Sequence, residues 1–122
     1  MPHHISNYLR KHRLRFAFSE KEIAKLLGYR SETCVSRLEL DYRTPTLEVA
    51  LGCQVIFGEP PSEIFPILYA EIESQVVHQA ELMARRLERR KDPHSVRKLT
   101  CLRRILSRAQ ARPATDAKPP GI

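Results

Sequence analysis

Apolar positions recur along this chain at intervals of three and four, and they never alternate long enough to make a strand. The first such stretch runs from Ile5 to about Phe16, with Ile5, Tyr8, Leu9 and His12 on one face. Ser19, followed three residues later by Glu22, has the pattern of a capping box and opens a second helix. Ile23, Ala24, Leu26 and Leu27 supply its inner side, and Gly28 can end it in the left-handed conformation. Ser31 reads as the N-cap of a third helix, Glu32 suits its positive end, and Val35 and Leu38 face inward. Arg43-Thr44-Pro45 stops that helix. Thr46 caps a fourth, predicted to bury Leu47, Ala50, Leu51 and Val55, and after a turn at Gly58 to Pro61 a short fifth covers Ser62 to Phe65.

The pattern changes beyond Phe65. Residues 67–90 read as one long helix with Tyr69, Ile72, Val76, Ala80, Met83 and Leu87 spaced by three or four. Asp92-Pro93 breaks it, and Val96, Leu99, Leu102 and Leu106 mark a last helix to about Ala109. The tail from Pro113 to Ile122 is rich in proline and poor in apolar groups, which predicts disorder. The expected protein is therefore all-α, with five helices in residues 1–66, a helical extension over 67–110 and a disordered tail over 111–122. The apolar stripe of the long helix has two candidate partners. It can fold back on the final helix as a hairpin, or Tyr69, Ile72, Val76, Met83 and Leu87 can form the seam of a homodimer. Heptad-like spacing lasts only about three heptads, which is marginal for a coiled coil. The preferred reading is a hairpin that also contributes to dimerisation.

Charge sharpens this division. The 122 residues carry a formal +7. Residues 1–65 hold 9 Lys and Arg against 8 Asp and Glu, whereas residues 66–122 hold 12 against 6. Such an excess predicts a polyanionic partner without naming it. The basicity between Arg85 and Arg112 is read as auxiliary nucleic-acid contact, with a solvated surface or an acidic partner protein as the alternatives. A smaller basic cluster is Arg10, Lys11, Arg13 and Arg15.

Other classes of function find little support in the sequence. Cys34, Cys53 and Cys101 are scattered, with no disulfide framework and no zinc-ligand spacing, and the five histidines add none. No metal or other cofactor is expected. Cys34 is read as a small, part-buried residue in preference to a redox switch, and Cys53 and Cys101 as core. No apolar run approaches the ~20 residues of a membrane span, and no signal-like segment opens the chain, so a cytoplasmic location is expected. The absence of a nucleophile elbow, P-loop or dinucleotide fingerprint argues against an enzyme.

The order of residues from Phe18 to Phe65 carries a more specific signal. Ser19, Ile23-Ala24, Leu27-Gly28, Val35-Ser36, Glu39, Arg43, Pro45, Leu47 and Ala50-Leu51 together resemble the lambda-repressor/Cro-like (XRE-type) helix-turn-helix family. The resemblance covers about Tyr8 to Phe65 and does not extend to the remainder. It implies a five-helix DNA-binding domain whose third helix enters the major groove N-terminus first. By position, that places Glu32, Thr33, Ser36 and Arg37 at base edges. Glu32 would accept from cytosine, Thr33 would meet a thymine methyl, and Arg37 would read guanine or hold phosphate. Arg10, Arg13, Arg30 and Arg43 are the implied phosphate contacts. Glu39 is read as structural, paired with an arginine.

The chain departs from the family in three places. One extra residue lies between Gly28 and Val35, Glu20 stands where many members have Gln, and Asp41 replaces the usual Gly. The function implied is a sequence-specific regulator of transcription, a repressor binding double-stranded DNA as a dimer on a short palindromic operator. The alternatives are an antitoxin or adaptor whose C-terminal helices hold a protein partner, and a nucleic-acid binder without base specificity.

Overall fold

The computed structural model describes residues 7–111, and among these every regular element is a helix. In chain order they are α1 (Leu9–Arg15), α2 (Glu20–Leu26), α3 (Thr33–Glu39), α4 (Leu47–Phe57), α5 (Pro61–Ile64), α6 (Pro66–Leu87) and α7 (Pro93–Ala111). The chain forms two compact units, one reaching Tyr69 and the other starting at Ala70. Ile5 and residues 112–122 of the tail expected to be disordered lie outside the described residues, whereas Ala111, counted with that tail, closes α7.

Capping chemistry sets the helix boundaries of the first unit. The Ser19 hydroxyl accepts from the Glu22 N–H at 3.0 Å while the Glu22 carboxylate accepts from the Ser19 N–H at 2.9 Å, the capping box expected. Those bonds hold the Glu22 carboxyl below its ordinary pKa. Thr46 accepts from the Val49 N–H at 3.2 Å and starts α4. The first three helices all end in the same way. In α2, Gly28 at φ +88° lets the Tyr29 N–H reach the Ala24 carbonyl and the Gly28 N–H reach that of Lys25, a Schellman motif. Asp41 at φ +63° repeats these bonds at the end of α3 through Tyr42 to Arg37 and Asp41 to Leu38. Ala17, also at φ +63°, repeats them after α1 through Phe18 to Arg13 and Ala17 to Leu14.

Two buried clusters fill this unit. Ile23, Ala24 and Val35 join α2 to α3, with Phe18, Leu27 and Phe57 against them. Leu9, Cys34, Leu38, Val49, Cys53, Ile64 and Phe65 form the larger one, where burial pushes the Cys53 thiol up to about 11. Of the expected α1 face, Leu9 is buried while Tyr8 and His12 are half-buried, and the His12 ring lies 5.4 Å from that of Phe57.

Several expected core positions are instead on the surface. Leu47, Leu51 and Val55 are 73%, 48% and 84% exposed, and Val49, Cys53, Ile56 and Phe57 are turned inward in their place. The reason is that α4 is apolar on almost every side, so its periodicity does not select an inner face. Close packing selects it: a methyl group at Gly52 would come within 2.6 Å of Leu27 Cδ2, so the backbone at Gly52 sits against the end of α2. Leu26, expected inside, is also exposed.

In the second unit, α6 ends at Leu87 and the chain reverses over five residues. Asp92 then accepts from the Ser95 N–H at 3.1 Å and from its hydroxyl at 2.7 Å, with Pro93 at the first helical position of α7. Asp92-Pro93, expected as a break, is thus also a start signal, and α7 begins three residues before Val96. Ala80, Ala84 and Leu87 pack on Leu99 and Leu102, so α6 and α7 form a hairpin. Leu87 is consequently buried inside that hairpin and unavailable to a dimer seam. Cys101, expected in the core, is exposed.

Ala17 is held where an L-residue costs about 1–2 kcal/mol, and glycine carries no such penalty. Ala17→Gly should therefore stabilise the protein by up to about 1 kcal/mol after the entropic cost of glycine is subtracted. A rise in the thermal midpoint is the expected result.

Candidate nucleic-acid interface

The third helix presents two chemically different faces. Cys34, Val35, Leu38 and Glu39 are buried, whereas Thr33, Arg37 and Leu40 are exposed and Ser36 is half-buried. At 3.6 residues per turn, Thr33, Ser36, Arg37 and Leu40 share the outward side. Glu32, just before Thr33, is exposed at the N-cap. The helix begins one or two residues later than expected. The Ser31 hydroxyl still accepts from the Thr33 N–H at 3.1 Å and donates to the Thr33 hydroxyl at 2.9 Å, so it satisfies one free donor at the helix end. The four expected base-reading residues thus run from the N-cap to the last turn of α3, with Glu32, Thr33 and Arg37 exposed and Ser36 half-buried. Leu40 joins them there; its position in the 3–4 repeat with Ser36 and Arg37 was the available signal.

Arg43 is exposed in the loop after α3, and its Nη1 donates to Cys34 Sγ at 3.2 Å. Tyr29 hydrogen-bonds to Cys34 and Thr46 at the same place, with its hydroxyl raised above the ordinary tyrosine pKa chiefly by burial. This cluster ties the loop's cation to the first turn of α3 and leaves the rest of the guanidinium open. Arg10 and Arg30 are likewise exposed.

Arg13 is not a surface cation. It is 9% exposed, and its guanidinium grips Glu39 through Nε to Oε2 at 2.6 Å and Nη2 to Oε1 at 3.0 Å. Its third donor, Nη1, reaches the Phe18 carbonyl at 3.0 Å. The expected phosphate contact at Arg13 is thus replaced by a structural one, and the arginine partner expected for Glu39 is Arg13. The physical cause is geometry: the last turn of α1 faces the end of α3, where the planar arginine fork reaches both oxygens of a buried carboxylate. The pair holds the guanidinium above its ordinary pKa, first through the Glu39 hydrogen bond. Of the other α1 cations, Lys11 lies 5.2 Å from the Tyr8 ring centroid and Arg15 5.5 Å from that of Phe16. Both also line an open cleft of about 230 Å³ with Glu59 and Glu63.

Glu20, half-buried, adjoins this pair. Burial raises its carboxyl pKa most, the hydrogen bond to Glu39 and that residue's charge raise it further, and Arg13 opposes them. Glu20 thus interacts with Glu39 and Arg13, which is an internal role.

In the second unit, Gln75, Val76, Gln79, Ala80, Met83, Leu102 and Ile105 line an open apolar groove of about 330 Å³. Of the expected seam residues, Tyr69, Ile72, Val76 and Met83 are exposed. Among the described residues, no group of three or more His, Cys, Asp or Glu is placed to hold a metal ion, and no helix is long and apolar enough to cross a membrane.

Two consequences are measurable. Arg13→Ala leaves a buried carboxylate unpaired and should cost about 3–5 kcal/mol in urea unfolding, whereas replacing both partners together with Met and Leu should cost far less. Glu20 behaves with the opposite sign. Its folded pKa lies above the unfolded one, so ionisation at neutral pH opposes folding, and stability from this group is gained as pH falls through the folded value. Glu20→Gln should therefore stabilise the protein at pH 7, by no more than about 1 kcal/mol because the carboxyl is partly solvated. The gain should shrink below the unfolded pKa of glutamate, as followed by thermal melts across pH.

Comparison with protein-family models, with curated proteins and with solved structures returned no match to this chain.

Proposed function

We propose that this protein is a sequence-specific, duplex-DNA-binding regulator of transcription of the lambda-repressor-like helix-turn-helix type, acting as a dimeric repressor on a short palindromic operator. One observation carries the reading: Thr33, Ser36 and Arg37 lie together on the outward face of a helix whose opposite face is locked into the core. Short polar groups and an arginine along the exposed side of such a helix are suited to base edges in a major groove. Arg43 beside the same turn supplies a cation for the adjoining backbone, and Arg10 and Arg30 are further exposed candidates. Regulation follows from occupancy, because a protein seated on an operator competes with polymerase for the same duplex.

Dimerisation is assigned to the α6–α7 hairpin through its exposed Ile72, Val76 and Met83 and the groove beside them. The same groove favours a second reading, in which the hairpin holds another protein and DNA binding serves autoregulation.

Selection of bound duplexes from a random pool tests the leading function. It should return a preferred site made of two related half-sites with centres about one or more helical turns apart. Replacing Thr33 or Arg37 with Ala should change which sequence wins, at a cost of about 1–3 kcal/mol per lost base contact. Arg43→Ala should instead weaken all duplexes alike. Recovery of no preferred duplex at low salt would overturn the proposal.

A further inference from the structure

The final helix, α7, has a charge pattern that folding does not explain. Its 19 residues include Arg97, Lys98, Arg103, Arg104 and Arg108 and no acidic residue. Ser95, Leu99 and Leu102 are buried, with Ile105, Leu106 and Ala109 half-buried, and these define the side packed toward α6. At 3.6 residues per turn, Arg97, Cys101, Arg104 and Arg108 fall on the opposite side, and all four are exposed. None of these three arginines makes an ion pair with a described residue.

Three ordinary explanations leave the stripe unaccounted for. The helix dipole favours Arg108, in the last turn, but gives no reason for Arg97 near the other end. Intrahelical pairing is unavailable without acids, and Arg104 and Arg108, four apart, repel. A membrane surface requires an apolar face beside the cations, and the side of α7 that carries Arg97, Arg104 and Arg108 holds no large apolar residue, Leu99 and Leu102 being packed toward α6.

We propose that the Arg97–Arg104–Arg108 stripe of α7 binds the phosphodiester backbone of nucleic acid without reading its bases. The stripe spans about 16 Å at 1.5 Å per residue. A duplex presents one negative charge about every 1.7 Å along its axis, so such a span meets several phosphates. Arginine suits the role because its planar fork can hold two phosphate oxygens at once. This surface lies in a different unit from α3, and the inference stands independently of base reading there.

The test uses the full chain and a labelled random-sequence duplex of about 30 base pairs, titrated across a salt series. Each phosphate contact contributes about 0.9 to the slope of log affinity against log salt. The R97Q/R104Q/R108Q variant should therefore lose about 2.7 from that slope while keeping the wild-type circular dichroism spectrum. Cys101 supplies a second readout, since it sits within the stripe while Cys34 and Cys53 are buried. Saturating random duplex should slow its alkylation several-fold. An unchanged slope in the folded variant, or alkylation indifferent to duplex, overturns the proposal. So does tighter binding to phosphatidylserine vesicles than to duplex. The same slope change with a structured RNA supports it, because the chemistry recognised is the backbone. Failure of base reading by α3 would register separately, as no preferred sequence with this slope change intact.

Discussion

The buried pair between Arg13 and Glu39 organises the first unit. An ionised carboxylate at 5% exposure is tolerable only with a partner that satisfies both oxygens, and the Arg13 fork does so from the last turn of α1. The same side chain is also tied to the turn at Ala17. Arg13 Nη1 donates to the Phe18 carbonyl while the Phe18 N–H donates to the Arg13 carbonyl, both at 3.0 Å. The chain must double back within four residues to make both bonds, and the left-handed Ala17 is how it does so. A local cost at one residue thereby supports a pair that joins two helices.

That pair fixes the C-terminal end of α3. Asn7 Nδ2 donates to the Leu38 carbonyl at 2.8 Å, adding a second bond from the segment before α1 to the last turn of α3. The Tyr8 N–H reaches the Ile64 carbonyl at 2.7 Å, so the same segment also holds α5. The C-terminal part of α3 is thus anchored by an ion pair, a side-chain amide and the core. Its N-terminal part is held by the buried Cys34 and Val35, by short local bonds from Ser31 and by the contact between Cys34 and Arg43, with Thr33 left outward. Rigid support behind a polar, exposed helix start is what precise recognition requires, because a side chain displaced by an ångström loses its partner.

Local chemistry was readable in the sequence and packing phase was not. The capping box at Ser19, the Thr46 cap, the left-handed Gly28 and the tolerance of Asp41 each depend on a few neighbouring residues, and each occurs in the structure. The inner face of α4 depends on which helix it meets, and an apolar helix with one charge holds no record of that. Arg13 misled for a related reason. It belongs to a run of four basic residues that looks like one surface, and only the partner 26 positions away shows that one member points inward. For the candidate site, the residues of the outward α3 face could be listed from periodicity. The tether of Arg43 to Cys34 could not, since it arises from the path of an irregular loop.

The two units divide electrostatic labour unevenly. Residues 1–65 are nearly balanced in charge, and part of their basicity is internally committed, because Arg13 is paired with Glu39. Little long-range field remains there to draw in a polyanion, although the short-range discrimination proposed for Thr33 and Arg37 would need none. The excess charge sits beyond residue 65, and on α7 it lies on a face with no folding role. Attraction and discrimination can then vary separately. Under the proposed function, a change on α7 would alter affinity for every sequence together, whereas a change on α3 would alter the ranking among sequences, and salt would act mainly on the former.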